Sequence, residues 1–112
     1  MPKILFMLSN SRIDIQPDHL SIIRAILQEH LPQREVWVFG SRVTGMASAT
    51  SDLDVAIIGD ALLDFAILSN LKDALSASII PYKVDIVDWA AITPEFQKRI
   101  KDDHVVLSNR RL

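Results

Sequence analysis

The stretch VWVFGSRVTGMASATSDLDVAII, Val36 to Ile58, decides how this chain is read. Its two ends, Val36 to Phe39 and Leu53 to Ile58, are apolar and rich in β-branched residues, which predicts two short strands. The first strand runs directly into Gly40-Ser41-Arg42, and Gly45 follows four residues after Ser41, so the strand gives way to a short helical turn. Glycine there lets backbone approach a ligand closely, while free N–H groups and the Ser41 hydroxyl can cradle a phosphate. A bare Gly-Ser pair is equally what an ordinary strand-to-helix turn contains. In the second strand the apolar run is continuous apart from Asp54, which predicts burial on both sides.

Residues two apart in a strand share a side, about 6.6–6.8 Å apart along the backbone. Asp52 and Asp54 therefore set two carboxylates on one face. Like charges so placed cost stability unless they sit at a solvated end or a cation neutralises them. For an isolated Asp-x-Asp the competing reading is a turn cap at Asp52 with Asp54 facing solvent. A third acid, Asp85, lies between Val84 and Ile86 in Tyr82-Lys83-Val84-Asp85-Ile86-Val87, where a carboxylate is unexpected if the strand lies within a sheet. If that strand neighbours the one bearing Asp52 and Asp54, the three acids converge. Such an all-oxygen cluster suits Mg²⁺ or Mn²⁺, which take a few carboxylates plus substrate phosphates. Asp88 points to the opposite face and is expected to cap the turn at Trp89.

Outward from this stretch, helix and strand periods alternate without a Pro/Gly/Ser-rich linker or a repeat, the pattern of one compact unit. A first helix is expected from Pro17 to about Leu31, with Leu20, Ile23, Ile26, Leu27 and Leu31 on one face. A second is expected from Leu62 to about Ala77, with Phe65, Leu68, Leu71 and Leu75 on one face. Thr93 before Pro94-Glu95 is an N-cap signal for a last helix reaching about Lys101, and Val105 to Leu107 predicts a final short strand. The fold class is α/β, with a small mixed β-sheet and flanking helices. Residues 1–13 are read as an N-terminal arm, in which Ile4 to Leu8 adds an edge strand or a sticky segment, and residues 14–112 as the domain.

Composition excludes several classes. The 112 residues include no cysteine, so there is no disulfide framework, thiolate zinc site or thiol nucleophile, in keeping with a reducing compartment. With 49% hydrophobic residues, a real core is affordable at this length. No stretch approaches the ~18 apolar residues of a membrane span, and Ile4 to Leu8 is too short for a signal-peptide core of about 7–15. A cytoplasmic location is expected. The net charge of −2 gives no basic footprint for nucleic acid. The 14 acids comprise 11 Asp and only three Glu, and short carboxylates are what turns, caps and metal sites prefer. Setting Asp52, Asp54 and Asp85 aside leaves 11 acids against 12 Lys plus Arg, which turns −2 into +1.

Gly40-Ser41, the eleven-residue step to Asp52-x-Asp54, and the later Asp85 in an apolar strand resemble the signature of the nucleotidyltransferase superfamily that includes DNA polymerase β and kanamycin nucleotidyltransferase. Val36 through Ile58 is more closely similar to the minimal nucleotidyltransferases, the MNT proteins of prokaryotic HEPN/MNT toxin–antitoxin pairs. The likeness extends from about Asp14 to Val106 and implies a polymerase β palm-like fold. It implies two divalent cations, Mg²⁺ or Mn²⁺, held by Asp52, Asp54 and Asp85, and ATP whose phosphates lie against Gly40 and Ser41. Arg42 is expected as a phosphate contact, with a surface charge on the turn as its alternative. One ion would activate the attacking hydroxyl and the other clamp the triphosphate, the pair about 3.5–4 Å apart. Asp85 would help deprotonate the acceptor.

A chain without a substrate-binding extension needs its acceptor from a second protein. The resemblance names a HEPN-domain protein encoded nearby, and implies an antitoxin that attaches AMP to a partner tyrosine and binds it. Two rivals remain: a non-catalytic module that blocks a HEPN RNase by binding, and a nucleotidyltransferase acting on a small molecule or RNA end. A homodimer or hetero-oligomer is compatible with the exposed edges of a short sheet; no membrane or direct nucleic-acid binding is expected. The remaining residues read as structural. His19, His30 and His104 share no ligand spacing, and Trp37 and Trp89 are expected to pack in the core, with base stacking as the alternative. Lys98, Arg99 and Lys101 oppose a helix macrodipole, and Arg110-Arg111 forms a charged tail.

Overall fold

A computed structural model describes residues 12–108. The first eleven residues and the Arg110-Arg111 tail, with the arm strand expected at Ile4 to Leu8, lie outside the described residues. Five helical segments and four strands follow in chain order: helix α1 (Pro17–His30), strand β1 (Val36–Phe39), the single turn α2 (Ser41–Thr44), β2 (Leu53–Ile57), α3 (Phe65–Ala77), β3 (Val84–Asp88), a 3₁₀ turn (Trp89–Ala91), α4 (Pro94–Asp102) and β4 (His104–Ser108). The strands form one mixed sheet in the order β3-β2-β1-β4. β1 is antiparallel to both β2 and β4, and β2 is parallel to β3. The small mixed sheet with helices expected from the sequence is therefore the fold observed.

Local chemistry explains the element boundaries. Pro17 opens α1, where its missing N–H is not needed. Thr93 caps α4 by accepting from the Phe96 N–H, and Asp64 caps α3 by accepting from the N–H groups of Ala66 and Ile67. That cap starts α3 at Phe65, later than the Leu62 start expected from periodicity. Phe65, expected on the apolar face, is 83% exposed; at the first helical position it precedes the face on which Leu71 and Leu75 are buried. β3 likewise begins at Val84, leaving Tyr82 outside the strand.

The two faces of the sheet differ in kind. Leu20, Ile23 and Leu27 of α1 and Leu71 and Leu75 of α3 pack with Val36, Val38, Leu53, Val55 and Ile57 into the main core. Burying these apolar side chains supplies the principal drive to fold. Ile13, assigned by the sequence reading to the arm, is also in this core. On the opposite face stand the alternate residues Trp37, Phe39, Asp54, Ala56, Asp85 and Val87, brought level by the strand register. Helix α4 covers part of that face, with Phe96 set edge-on to Phe39 at 5.9 Å between ring centroids.

Trp37 and Trp89 do not enter the main core. Their rings meet edge-on at 5.2 Å, and Trp37 stacks on His104 at 3.8 Å. Trp37 occupies the second face because it lies one residue out of phase with Val36 and Val38. Among the described residues, no helix is long and apolar enough to cross a membrane.

Candidate active site

Asp54 is the centre of the site. In the register it has Phe39 on one side and Asp85 on the other, so the two carboxylates project from adjacent strands toward the same side. Asp52 lies two residues earlier at the exposed entry to β2 and shares their face by the strand repeat. The topology thus sets Asp54 and Asp85 level, because β2 and β3 are neighbours and parallel, with Asp52 just before β2.

Electrostatics reports the crowding. The Asp54 carboxyl is raised above its ordinary value, first by burial and then by the negative charges of Asp85 and Asp52. Neither Asp52, Asp54 nor Asp85 forms an ion pair with a Lys or Arg among the described residues. A site of this kind lacks a cation that the protein itself could supply, and its donors are all oxygen, the chemistry that hard divalent ions take. No group of three acidic, His or Cys side chains among the described residues is arranged to enclose a metal ion. Mg²⁺ does not need such a cage, since it is bound through one or two carboxylates together with substrate phosphates and water. The residues fit an ion completed by a phosphorylated substrate.

Gly40 closes the other side. It has φ +81°, a conformation that favours glycine, and a Cβ at this position would run into the Asp54 carboxylate. Backbone and carboxylate are therefore in direct contact. Val43 and Thr44 donate their N–H groups to the Gly40 carbonyl, while the N–H groups of Ser41 and Arg42 begin the helical turn and have no acceptor within it. Gly45 ends the turn in the left-handed conformation.

Arg42 departs from both readings the sequence offered. It is 5% exposed, so it is not a surface charge. Its Nε and one terminal nitrogen donate to the Ser51 carbonyl at 3.0 and 2.8 Å, and further bonds reach Asp14 O at 2.8 Å and Ala49 O at 3.2 Å. The guanidinium also lies 4.1 Å from the centre of the Tyr82 ring. Committed to these carbonyls, it braces the Ser48–Ser51 loop against the start of α1 and does not reach for a phosphate.

One smaller expectation also changes. Asp88 does not cap the Trp89 turn; one of its oxygens accepts from the Leu63 N–H at 2.9 Å and ties down the loop before α3. His19, in the first turn of α1, meets Tyr82, with Nδ1 3.3 Å from the hydroxyl. Burial raises the Tyr82 phenol, opposed by Arg42 and reinforced by Asp18. Sequence gave no signal for this long-range pair.

A model of the family described as Polymerase beta, Nucleotidyltransferase matches residues 22–111. The chain is 42% identical over 104 residues to a probable protein adenylyltransferase MntA of Haemophilus influenzae, covering 93% of this chain and 91% of the relative. Its fold is similar to that in a crystal structure of a toxin–antitoxin with AMP-PNP, with a TM-score of 0.68 and 24% identity over 80% of this chain and 73% of the other. It is similar also to a chain from the complex of tri-AMPylated Shewanella oneidensis HEPN toxin with MNT antitoxin, with a TM-score of 0.64 and 22% identity over 85% and 73% of the two chains.

Proposed function

The chain belongs to the polymerase beta nucleotidyltransferase family, and from that premise we propose that it transfers AMP from ATP to a hydroxyl, most simply a tyrosine, of a HEPN partner protein, and acts as that partner's antitoxin. The observation that carries the reading is the contact of Gly40 with Asp54 beside Asp85 on the adjoining strand. It puts a backbone able to approach phosphate, a carboxylate crowded by like charge, and a second acid side by side. The 42% identical relative, named a protein adenylyltransferase, supports AMP as the group transferred.

In this reading Asp52 and Asp54 hold the divalent ions, two Mg²⁺ or Mn²⁺, and Gly40 and Ser41 lie against the phosphates. Bound there, the ions would polarise the α-phosphate and screen the leaving pyrophosphate. The acceptor oxygen forms a bond to the α-phosphorus as the bond to the β-phosphate oxygen breaks, and the hydroxyl proton passes to Asp85. Asp85 stands on β3, the outer strand of the sheet, so an acceptor can approach from beyond the edge. In this reading a second protein presents the hydroxyl at that edge. A cytoplasmic location belongs to the same reading, in keeping with ATP as the donor.

The test is to co-express the chain with its genomic neighbour, supply ATP and Mg²⁺, and weigh both products by mass spectrometry. The expected result is an AMP increment on the neighbour that disappears with Asp52→Ala or Asp85→Ala. Neutralisation that survives both substitutions without added mass would establish blocking by binding instead.

A further inference from the structure

The commitment of Arg42 to backbone carbonyls leaves the triphosphate without the cation that the Gly40-Ser41 turn was expected to provide. A replacement stands across the turn. A cavity of about 390 Å³ opens between Gly40 and helix α4, with Phe39 and Phe96 among its walls and Arg99 at its side. Phe39 is also the residue paired with Asp54 across the sheet. Gly40, which lines the cavity, is also the residue that abuts the Asp54 carboxylate.

We propose that Arg99 is a binding residue for the polyphosphate tail of the nucleotide, projecting from α4 into the cavity beside Gly40. Four observations support this role. Arg99 is exposed and forms no ion pair among the described residues, while the neighbouring acid Asp102 is paired with Lys98 at 3.5 Å. Its guanidinium lies 6.0 Å from the centre of the Phe96 ring, within the range of a cation–π contact that favours one placement of a long side chain. Phe96 is in turn seated edge-on against Phe39, so the platform is anchored to the strand that leads into Gly40. Thr44, from the end of the Gly40 turn, faces the same cavity.

The remaining charges set the direction of the ligand. Asp102 and Asp103 also line the cavity, at the C-terminal end of α4, where they repel phosphate. The tail is therefore held toward Gly40 and Thr44, with Arg99 between it and the acidic end. Arginine suits this place because its planar fork can bind two phosphate oxygens at once. The backbone of a four-residue turn alone offers no comparable charge.

The inference rests on the nucleotidyltransferase reading, and ATP binding separates the two. Calorimetric titration of the full chain with ATP and Mg²⁺ is compared for wild type, Arg99→Ala, Arg99→Lys and Lys101→Ala. Loss of a charged hydrogen-bonding group should weaken ATP binding roughly ten- to hundred-fold in Arg99→Ala, with an intermediate loss in Arg99→Lys. Lys101→Ala removes the same charge from the last turn of α4, outside the cavity lining, and should change affinity less than about twofold, because a diffuse surface charge is screened. ATP binding unchanged in Arg99→Ala, or weakened equally in Lys101→Ala, overturns the role of Arg99 and leaves the family reaction standing. A wild-type protein that binds no ATP overturns both.

Discussion

Gly40 and Asp54 are in such close contact that the position of one fixes the other: the space a Cβ would need at Gly40 is filled by the Asp54 carboxylate. Gly40→Ala therefore carries two penalties, a left-handed φ of +81° and a collision with a proposed metal ligand. The strained backbone should cost about 1–3 kcal/mol of stability. Displacement of Asp54 should lower transfer by roughly 100-fold or more, the scale of an ångström-sized misplacement. Gly45 supplies the control. It has φ +85° but nothing within 4 Å of its Cβ, so Gly45→Ala should lose about 1–2 kcal/mol and keep its activity per folded molecule. Denaturation midpoints and initial rates on both variants check the pair.

Asp54 should weaken the fold that it equips. Its carboxyl is raised above the ordinary value by burial and by Asp85 and Asp52, so the folded state binds its proton more tightly than the unfolded state does. This contribution makes stability fall as pH rises from the ordinary carboxylate value through the raised one; above that the full penalty is present, and below the ordinary value it is absent. Asp54→Asn removes the penalty and should raise stability at neutral pH while abolishing transfer. Mg²⁺ or Mn²⁺ should raise the melting temperature of the wild type, most clearly with ATP, and a chelator should reverse the gain. Thermal unfolding against pH and ion concentration tests each statement; a melting temperature lowered by Asp54→Asn would contradict the first.

Arg42 should behave as a structural residue. Four hydrogen bonds join it to the carbonyls of Asp14, Ala49 and Ser51. Arg42→Ala leaves those acceptors without their donor and removes a ring contact with Tyr82, for an expected cost of about 2–4 kcal/mol. Arg42→Lys should recover little, since an ammonium cannot span the same carbonyls as a planar fork. In conditions where the variants remain folded, ATP affinity should stay near that of wild type, measured by the same titration. A selective loss of ATP affinity with normal stability would return Arg42 to the phosphate site.

The contrast between Arg42 and Asp54 marks what the sequence could disclose. Asp54 was legible because a carboxylate inside an apolar strand conflicts with its surroundings, and the strand repeat joins it to Asp52 without further knowledge. Asp85 was legible by the same conflict, although its neighbourhood with Asp54 depends on strand order, which periodicity does not determine. Arg42 was not legible: its partners Asp14 and Ser51 lie far apart in the chain, and no local pattern marks a cation destined for backbone carbonyls. Phe65 failed for a different reason. Helical spacing alone puts it in line with Leu71 and Leu75, but the Asp64 cap makes it the first residue of α3, ahead of the surface that the sheet covers. Asp88 was read from its own turn, whereas the donor it serves, the Leu63 N–H, is 25 residues away.

Asp85 and Asp54, neighbours in register, should separate binding from transfer. Asp54 touches the Gly40 backbone, on the side where the nucleotide phosphates are proposed to lie, whereas Asp85 belongs to the outermost strand. Replacing Asp85 by Asn keeps the shape of the side chain and its place in the parallel pair, but removes the charge and the ability to accept a proton from the incoming hydroxyl. ATP affinity in Mg²⁺ should therefore stay within about threefold of wild type, a change below roughly 0.7 kcal/mol. The single-turnover rate should fall by about 10²–10⁴, the contribution of a positioned base. Asp54→Asn should lose both, because it weakens the ions that bind the triphosphate before any acceptor arrives. Equal losses of ATP affinity in the two variants would mean that Asp85 serves the nucleotide side, and the acceptor would then have to approach from elsewhere than the β3 edge.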